Sequence, residues 1–269
     1  MNTPAFHLKK IEEAISRLPI SGRPAELYDP IQYMMGLGGK RIRPIVAMMA
    51  CELFGGKEED VLPAALGIEV FHNFTLLHDD IMDKAPLRRA QPTVHVKWNS
   101  DIAILSGDTM FVRSCQLMSE VNEKHLKKVL DLFHKTAIEV CEGQQLDMDF
   151  ETRNDVTIGE YLHMVTLKTS VLLACSLKIG ALVSGGLGDT ANKLYEFGKN
   201  MGIAFQLQDD YLDAFGETEK LGKQNGGDIR GNKKTYLYLK SLELADSQQR
   251  MAIESLLPES GDEKVKAML

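Results

Sequence analysis

Two copies of one acidic pattern could do chemistry in this sequence: Asp-Asp-x-x-Asp occurs at residues 79–83 and again at residues 209–213. Each copy follows an apolar run with helical spacing, so its first and last carboxylates should lie one turn apart on the same face. Oxygen-only ligands suit a hard cation such as Mg²⁺, usually shared with substrate phosphates. A solvated helix end is the alternative, and it is disfavoured because both copies follow apolar helices, where unpaired charge is costly. The predicted metal ligands are Asp79, Asp80, Asp83, Asp209, Asp210 and Asp213.

The elements that must position these acids are predicted to be helices. Alternating strand patterns are not found, and glycine, proline and polar residues place loops at 84–100, 150–156 and 216–232. No composition break divides the chain, so we expect one all-α domain over residues 1–269. A helix should begin at Pro44, and further helical spacing covers roughly 60–83, 101–120, 123–149, 157–185, 189–215 and 233–256.

Composition limits the class of protein. The chain has 269 residues, of which 44% are hydrophobic and 26% charged, which is typical of a globular protein with a sizeable core. The net charge of −7 disfavours nucleic acid as a partner. The four cysteines lack Cys-x-x-Cys spacing and are predicted to be reduced thiols of a cytoplasmic protein. Charged residues interrupt every apolar window, so no membrane span is expected, and the amphipathic N-terminus does not predict secretion.

Basic residues nevertheless cluster near both acidic patterns. Gly38 and Gly39 precede Lys40-Arg41-Ile42-Arg43 just before a predicted helix start, where free backbone N–H groups favour anions. His72 should share a helical face with Asp79 and Asp83. Any single basic residue could equally be a surface charge, but together they could hold two diphosphates, one through metals and one directly. The remaining basic residues of this set are Arg88, Arg89, Lys168, Lys223 and Lys233.

Six motifs in order carry a family resemblance: GGKRIRP at 38–44, LLHDDIMDKAPLRRAQPT at 76–93, GQQLD at 143–147, LKTS at 167–170, FQLQDDYLD at 205–213 and GKQNGGDIRGNKKT at 222–235. Over nearly its whole length the chain resembles the trans-isoprenyl diphosphate synthases (polyprenyl synthetases), and in particular geranylgeranyl and farnesyl diphosphate synthases. The resemblance implies a bundle of roughly ten or more helices around a deep central cavity, usually assembled as a homodimer.

The resemblance also implies roles for residues by position. The six aspartates match ligands of three Mg²⁺ ions, with Asp147 in support. Contacts to an allylic diphosphate are implied for Arg88, Lys168, Thr169, Gln206, Lys223 and Lys233. Contacts to isopentenyl diphosphate are implied for Lys40, Arg43, His72 and Arg89. The implied reaction is ionisation of the allylic C–O bond, attack by the double bond of isopentenyl diphosphate, and loss of a proton to the released diphosphate.

Product length in this family depends on bulk beneath the first acidic pattern. Phe74 lies five residues before Asp79, with Thr75 beside it and Phe71 one turn deeper. A large residue at the fifth position favours a C15 to C20 product, and geranylgeranyl diphosphate is expected. Phe71 and Phe74 are equally compatible with a role as core aromatics.

Three alternative functions are compatible with parts of the pattern. A longer-chain (C30–C40) synthase differs only in the floor of the pocket. A class I terpene cyclase usually lacks the second aspartate pattern and needs no isopentenyl site, and a non-catalytic synthase subunit usually has eroded aspartates. The chain is a few tens of residues shorter than the family norm, so it is either a compact version or a sequence without its C-terminal tail.

Overall fold

The structure, a computed structural model, describes residues 2–186, 188–216 and 226–269. Backbone contacts divide the chain into two compact units. Unit 1 comprises residues 1–136 and 172–198, and unit 2 comprises residues 137–171 and 199–269. Because the described residues of both units are helical almost throughout, the predicted all-α class is confirmed. A single domain over residues 1–269 stays a prediction.

In chain order the elements are α1 (Pro4–Ser16), α2 (Ala25–Gly36), α3 (Ile42–Leu53), α4 (Glu58–Met82), β1 (Leu87–Arg88), β2 (Gln91–Pro92), α5 (Val94–Lys97), α6 (Ser100–Ser119), α7 (Glu123–Thr152), α8 (Ile158–Val165), a π-helical segment (Thr166–Ser170), α9 (Val171–Val183), α10 (Gly188–Phe215), α11 (Gly227–Arg230), α12 (Tyr236–Leu244), α13 (Ser247–Leu256) and α14 (Gly261–Met268).

Helix α4 is the central element of unit 1 and packs against α3 and α6. It begins with three acidic residues, which favour the positive end of the helix dipole. Most of its apolar residues are buried, and Phe71 is completely so. The helix ends at Met82 with Asp83 as its C-cap, so the first acidic pattern lies at its C-terminal turn. Carboxylates there face the negative end of the dipole, and this end therefore needs cations nearby.

Unit 2 surrounds the second acidic pattern, which lies in the last turns of α10. Its core contains Phe150, Tyr161, Met164 and Leu239, all buried. Helix α8 begins with a capping box in which Thr157 and Glu160 satisfy each other's backbone N–H groups. The second pattern, like the first, is placed by a helix that ends immediately after it, and the same need for cations follows.

Several predicted boundaries need correction. Helix α3 begins at Ile42, two residues before Pro44. The stretch 84–100 is not all loop, because β1 and β2 pair as a short antiparallel hairpin and α5 follows. Helix α7 continues to Thr152. The predicted helix over 233–256 is two helices, because the Asp246 side chain accepts from the backbone N–H of Gln249 and so starts α13.

One continuous helical stretch among the described residues, Ile158–Val183, is long and apolar enough to cross a membrane by length and composition. Two thirds of its most apolar window (67%) is buried inside the structure, as expected for a core helix. This stretch includes the π-helical segment, which carries two of the predicted site residues.

Candidate active site

The first acidic pattern is paired with an arginine from the β1–β2 hairpin. Arg88 Nε donates to both carboxylate oxygens of Asp80, at 2.9 and 2.8 Å, and Arg88 Nη2 lies 3.7 Å from Asp79 Oδ2. Asp80 is buried, Asp79 is half-buried and Asp83 is exposed. Burial raises the pKa of Asp80, and the Arg88 pair offsets this only in part. Arg88, predicted to contact an allylic diphosphate, thus places a positive charge against the carboxylates of the first pattern.

Four of the predicted basic contacts lie together in unit 1. Arg43 Nη1 lies 3.1 Å from His72 Nε2. Since a guanidinium can only donate, His72 Nε2 accepts and its proton resides on Nδ1. Burial, followed by the positive charges of Arg43 and Arg89, lowers the pKa of His72 well below its usual value. His72 is therefore neutral at neutral pH.

Arg89 closes the same cluster against the glycine pair that precedes Lys40. Arg89 donates to the backbone carbonyl of Gly38, and a Cβ on Gly39 would lie 2.8 Å from Arg89 Nη2. Gly38 and Gly39 both have positive φ, at 76° and 141°, which other residues adopt only with strain. The two glycines therefore let the guanidinium lie directly on the loop. The structure brings Arg43, His72 and Arg89 together, and Lys40 is exposed beside them.

Arg41 differs from its basic neighbours because its side chain points into the protein. It is 4% exposed and has φ 47°, and its Nη1 donates to Glu69 Oε1 at 2.6 Å. Its Nε donates to Glu12 at 2.8 Å. Glu69 also accepts from Asn73. Arg41 therefore anchors the start of α3, which carries Arg43, instead of adding a cation to the site.

A cluster of four aromatic side chains lies beneath the first acidic pattern. The Phe71 ring is 5.6 Å from Phe74, 5.9 Å from Phe111 and 5.2 Å from Phe133. The Phe74 ring also packs against Phe111 and against the His78 ring at 4.7 Å. Phe111 and Phe133 come from α6 and α7, and the pattern around residue 79 gave no signal for them.

Of the predicted chain-length residues, Thr75 is tied to the helix itself. Its hydroxyl donates to the backbone carbonyl of His72 at 2.8 Å. Phe71 is fully buried, whereas Phe74 retains some exposure. Phe74 is therefore better placed than Phe71 to meet a bound chain, and a chain-length role stays a prediction for all three residues.

In the second acidic pattern, uncharged side chains donate hydrogen bonds to the central carboxylate, Asp210. Tyr161 donates a hydrogen bond from its hydroxyl to Asp210 Oδ2, and Gln206 Nε2 donates to Asp210 Oδ1 at 2.9 Å. Burial raises the pKa of Asp210, and these two hydrogen bonds oppose the rise. Asp213 accepts from the backbone N–H of Asp228 at 3.0 Å. Both Asp210 and Asp213 are buried, and Asp209 is half-buried.

Asp147 joins two of the predicted lysines. Lys168 Nζ lies 2.7 Å from Asp147 Oδ2, and Lys233 Nζ lies 3.3 Å from the same oxygen and 2.8 Å from Glu151. Burial alone would raise the pKa of Asp147, but Lys168 and Lys233 together hold it below its usual value. The carboxylate is therefore ionised at neutral pH, and it keeps the two ammonium groups side by side.

Two glycines set the positions of these side chains. A Cβ on Gly143 would collide with the backbone nitrogen of Lys168, so α7 can approach the π-helical segment closely only with glycine there. A Cβ on Gly202 would lie 2.6 Å from Ser170 Cα. Asp147 and Gln206 follow these glycines by one turn, so each meets the π-helical segment: Asp147 through Lys168, and Gln206 by accepting from the Thr169 hydroxyl at 3.1 Å. The π-helical segment widens the helix where two functional side chains are needed.

The donor chemistry of both acidic patterns fits a hard divalent cation, although no ligand cage is preassembled. Within residues 2–186, 188–216 and 226–269, no group of three or more His, Cys, Asp or Glu side chains is arranged to hold a metal ion. Asp80 and Asp210 face hydrogen-bond donors. The more accessible carboxylates, Asp79, Asp83 and Asp209, are therefore the first candidates for metal ligands.

Comparison with known proteins decides the family. The polyprenyl synthetase model matches residues 24–269. The chain belongs to the polyprenyl synthetase family. It is 46% identical over 235 residues to the geranylgeranyl diphosphate synthase of Methanosarcina mazei, covering 87% of this chain and 72% of that protein. It is 41% identical over 248 residues to the geranylfarnesyl diphosphate synthase of Natronomonas pharaonis, covering 85% and 72%.

Solved polyprenyl synthetase structures share the fold. A crystal structure of geranylgeranyl pyrophosphate synthase superposes with a TM-score of 0.94 at 46% identity, covering 99% of this chain and 82% of that one. The polyprenyl synthase of Caulobacter crescentus, solved in complex with calcium and isoprenyl diphosphate, superposes with a TM-score of 0.90 at 28% identity, covering 98% and 81%. The predicted family, fold class and class of enzyme are therefore confirmed.

The individual site roles stay predictions. Most predicted site residues within the described ranges take part in the side-chain contacts given above; Lys40 and Asp83 are exposed and Asp209 is half-buried. Lys223, predicted to contact the allylic diphosphate, lies outside the described residues. Sequence reasoning missed Tyr161 and Glu151, because a lone tyrosine on an apolar helix and an acid at a helix end carry no distinctive spacing.

Proposed function

We propose that this protein condenses isopentenyl diphosphate with an allylic diphosphate (dimethylallyl, geranyl or farnesyl) to give a trans-polyprenyl diphosphate of C15 to C20, with geranylgeranyl diphosphate as the main product. The observation that carries the proposal is that both aspartate patterns of this polyprenyl synthetase are complete. Each also has its predicted basic side chains in direct contact with acids of the same unit. A terpene cyclase would not need the Lys40, Arg43, His72 and Arg89 cluster, and a non-catalytic subunit would not need six aspartates.

The cation we propose is Mg²⁺, held by the aspartates at 79, 80, 83, 209, 210 and 213, in three ions per site. When bound, it would add positive charge at the oxygens of the departing diphosphate. Arg88, Lys168 and Lys233 contribute further positive charge from this chain, and Asp147 holds both lysines in place. Thr169 and Gln206 are hydrogen-bonded to each other in unit 2 and also belong to the proposed allylic diphosphate contacts, as does Lys223. Charge supplied in this preorganised form stabilises the diphosphate as the C–O bond breaks.

The proposed isopentenyl diphosphate contacts are Lys40, Arg43, His72 and Arg89. Burial lowers the pKa values of Arg43 and Arg89, and both are cations because arginine is not deprotonated in proteins. His72, being neutral, adds a hydrogen bond without adding another charge. Binding of a diphosphate would supply the anion that this group of positive charges requires, and no metal is needed for it.

The reaction needs no protein general base in this proposal. The allylic C–O bond breaks with its electron pair leaving on the diphosphate. The double bond of isopentenyl diphosphate then forms the new C–C bond, and the proton lost from the adduct goes to the released diphosphate. The side chains of this chain bind, orient and neutralise charge, and the described contacts are of that kind.

A product assay tests the proposal. Pure protein is incubated with Mg²⁺, labelled isopentenyl diphosphate and each allylic primer in turn, and the dephosphorylated products are separated by chain length. We expect linear C20 alcohol as the main product, with no turnover when the divalent cation is chelated. Cyclic hydrocarbon from a single allylic substrate, or no turnover without a second polypeptide, would contradict it. A C30–C40 distribution would contradict only the proposed length.

We also propose a cytoplasmic homodimer. Helix α6 exposes Ile104, Leu105 and Val112, each more than 40% exposed, and all three lie within about 100° of one another on the helix. A second copy covering this apolar face would remove it from water. Light scattering should give the mass of a dimer for the wild type and the mass of a monomer for Leu105→Glu. A dimer in both, or a monomer in both, would contradict this interface.

A further inference from the structure

Helix α14 buries a lysine at the turn that precedes Lys233. Lys264 is 1% exposed, and its Nζ donates to Asn232 Oδ1 at 2.6 Å and to the Leu257 carbonyl at 3.1 Å. Both acceptors are neutral. An ammonium group removed from water in this way is costly unless its hydrogen bonds are kept. Asn232 Nδ2 donates to the same Leu257 carbonyl at 3.1 Å, so the three groups form one closed arrangement.

The residue that Lys264 anchors has an unusual backbone conformation. Asn232 has φ 53°, which asparagine tolerates better than most residues. Lys233 comes next, and its backbone N–H donates to the Asp228 carbonyl at 2.9 Å. The Lys233 side chain then reaches Asp147 and Glu151. Holding Asn232 therefore fixes the backbone from which Lys233 extends.

Two further contacts join α14 to the same turn, which comprises residues 226–232. Asp262 accepts from Arg230 at 2.6 Å. Val265 packs against Gly226, where a Cβ would lie 2.5 Å from Val265 Cγ1. This turn also contacts the second acidic pattern, because the Gly226 N–H donates to the Asp213 carbonyl at 2.7 Å. The chain of contacts runs from α14 through the turn to Asp213 on one side and Lys233 on the other.

We propose that Lys264 is a positioning residue that, through Asn232, locks the 226–232 turn and so sets the positions of Lys233 and Asp213. This inference rests on the proposed function, because it assumes that Lys233 and Asp213 act on the allylic diphosphate. Groups held in place before binding lose less conformational freedom when the ligand arrives. Loss of the lock should therefore weaken allylic diphosphate binding and leave the isopentenyl diphosphate contacts of unit 1 unchanged.

Hydrogen exchange tests the lock without reference to activity. Lys264→Met removes the ammonium and keeps the apolar stem. Lys266→Met is the matched control, since Lys266 lies two residues away on the same helix, is exposed and pairs only locally with Glu263. We expect exchange in peptides covering 226–235 to become roughly tenfold faster in Lys264→Met and to be unchanged in Lys266→Met, with peptides from α4 unchanged in both. Equal exchange in the two variants would overturn the proposal.

Steady-state kinetics tests the consequence. We expect Lys264→Met to raise the KM for the allylic diphosphate about tenfold with the KM for isopentenyl diphosphate unchanged, and Lys266→Met to change neither. Asn232→Gly keeps the positive φ and removes the acceptor, so it should reproduce the Lys264→Met effect even if that variant folds poorly. Equal rises in both KM values would point to a general loss of structure and overturn the positioning role. If the wild type turned over no allylic diphosphate, the proposed function would fail, whereas the exchange result would still decide whether Lys264 locks the turn.

Discussion

The two acidic patterns have identical spacing and both lie at the C-terminal end of a long helix, yet their central carboxylates accept hydrogen bonds from different kinds of donor. Asp80 is held by the charged guanidinium of Arg88, which approaches from a hairpin. Asp210 is held by two neutral donors, Tyr161 from α8 and Gln206 from one turn earlier on α10 itself. Burial raises the pKa of both carboxyls. The central carboxylate of the same sequence motif therefore accepts from a charged donor in unit 1 and, among the described residues, from uncharged side-chain donors in unit 2.

The kind of donor that holds each central carboxylate determines how each pattern can respond to a substrate. A guanidinium that pairs with a carboxylate can exchange that partner for a phosphate, since both accept its parallel donors. Tyrosine and glutamine donors have no such preference for a more highly charged partner. We infer that the first pattern is rearranged by the substrate and that the second is fixed in advance by its hydrogen bonds and by the turn anchored on α14.

The largest expected effect is shared by the two patterns. Asp79→Ala and Asp209→Ala should each lower kcat by at least about 10²- to 10³-fold, which corresponds to the ~3–4 kcal/mol lost when one transition-state charge stabiliser is removed. The exposed Asp131→Ala on α7 is the control and should retain normal turnover. Circular dichroism should show an unchanged fold in all three. A near-normal rate in either motif variant would contradict its proposed role in metal binding.

The two patterns should also differ in how much the donor to the central carboxylate contributes to the free energy of unfolding. Arg88→Met leaves the buried Asp80 carboxylate without its counter-ion and should lower the free energy of unfolding by about 3–5 kcal/mol. Tyr161→Phe removes one neutral donor to Asp210 and should cost about 1–2 kcal/mol. Urea unfolding measures both. A loss for Tyr161→Phe as large as that for Arg88→Met would contradict a difference between a charged partner at Asp80 and an uncharged one at Asp210.

The residues five positions before each pattern also differ, being Phe74 in the first case and Ala204 in the second. If the bulk of Phe74 limits the product, Phe74→Ala should shift the product distribution toward chains one or more C5 units longer. Phe197→Ala, an exposed phenylalanine on α10, should leave the distribution unchanged. An unchanged distribution for Phe74→Ala would place the floor elsewhere, with Phe71 and Phe111 as the next residues to test.

The smallest expected effect is on the pH dependence of the free energy of unfolding. Its sign for Asp80 and Asp210 is opposite to its sign for His72. Because the folded-state pKa of Asp80 and of Asp210 is raised, their contribution to stability is lost as pH rises through those values. The pKa of His72 is lowered in the folded state, so its contribution is present above about pH 6.5 and is lost as the pH falls below that value. The free energy of unfolding should therefore fall between pH 7 and pH 5.5, and less so in His72→Asn. Equal slopes in the two proteins would contradict a buried neutral His72.

Much of the fold could be predicted from the sequence because the apolar residues of long helices recur at helical spacing. The helix carrying the first pattern was predicted at 60–83 and occurs at Glu58–Met82, and that carrying the second was predicted at 189–215 and occurs at Gly188–Phe215. Breaks that depend on one local hydrogen bond were missed. Asp246 divides a predicted helix because its side chain caps the next one, and spacing alone could not distinguish it from any exposed polar residue.

The site was predictable as a set of charged residues but not as a set of pairings. Arg41 and Arg43 are alike in the sequence, and only packing shows that Arg41 is turned inward onto Glu69. The closeness of Lys168 to Asp147 depends on Gly143 and on a π-helical segment, neither of which changes the hydrophobic period. The buried Lys264 would be read as a surface lysine from composition, since lysines are almost never fully buried.

The most direct test of the central claim, that both acidic patterns hold divalent ions on one allylic diphosphate, is a crystal structure of the protein with Mn²⁺ and an unreactive thiolodiphosphate analogue of the allylic substrate. Anomalous scattering locates the Mn²⁺ ions without assumption about their ligands. We predict peaks within bonding distance of carboxylates from both patterns, with Arg88 shifted from Asp80 toward the analogue. A well-ordered analogue with no anomalous peak beside either pattern would contradict the proposal that the aspartates hold divalent ions on the allylic diphosphate.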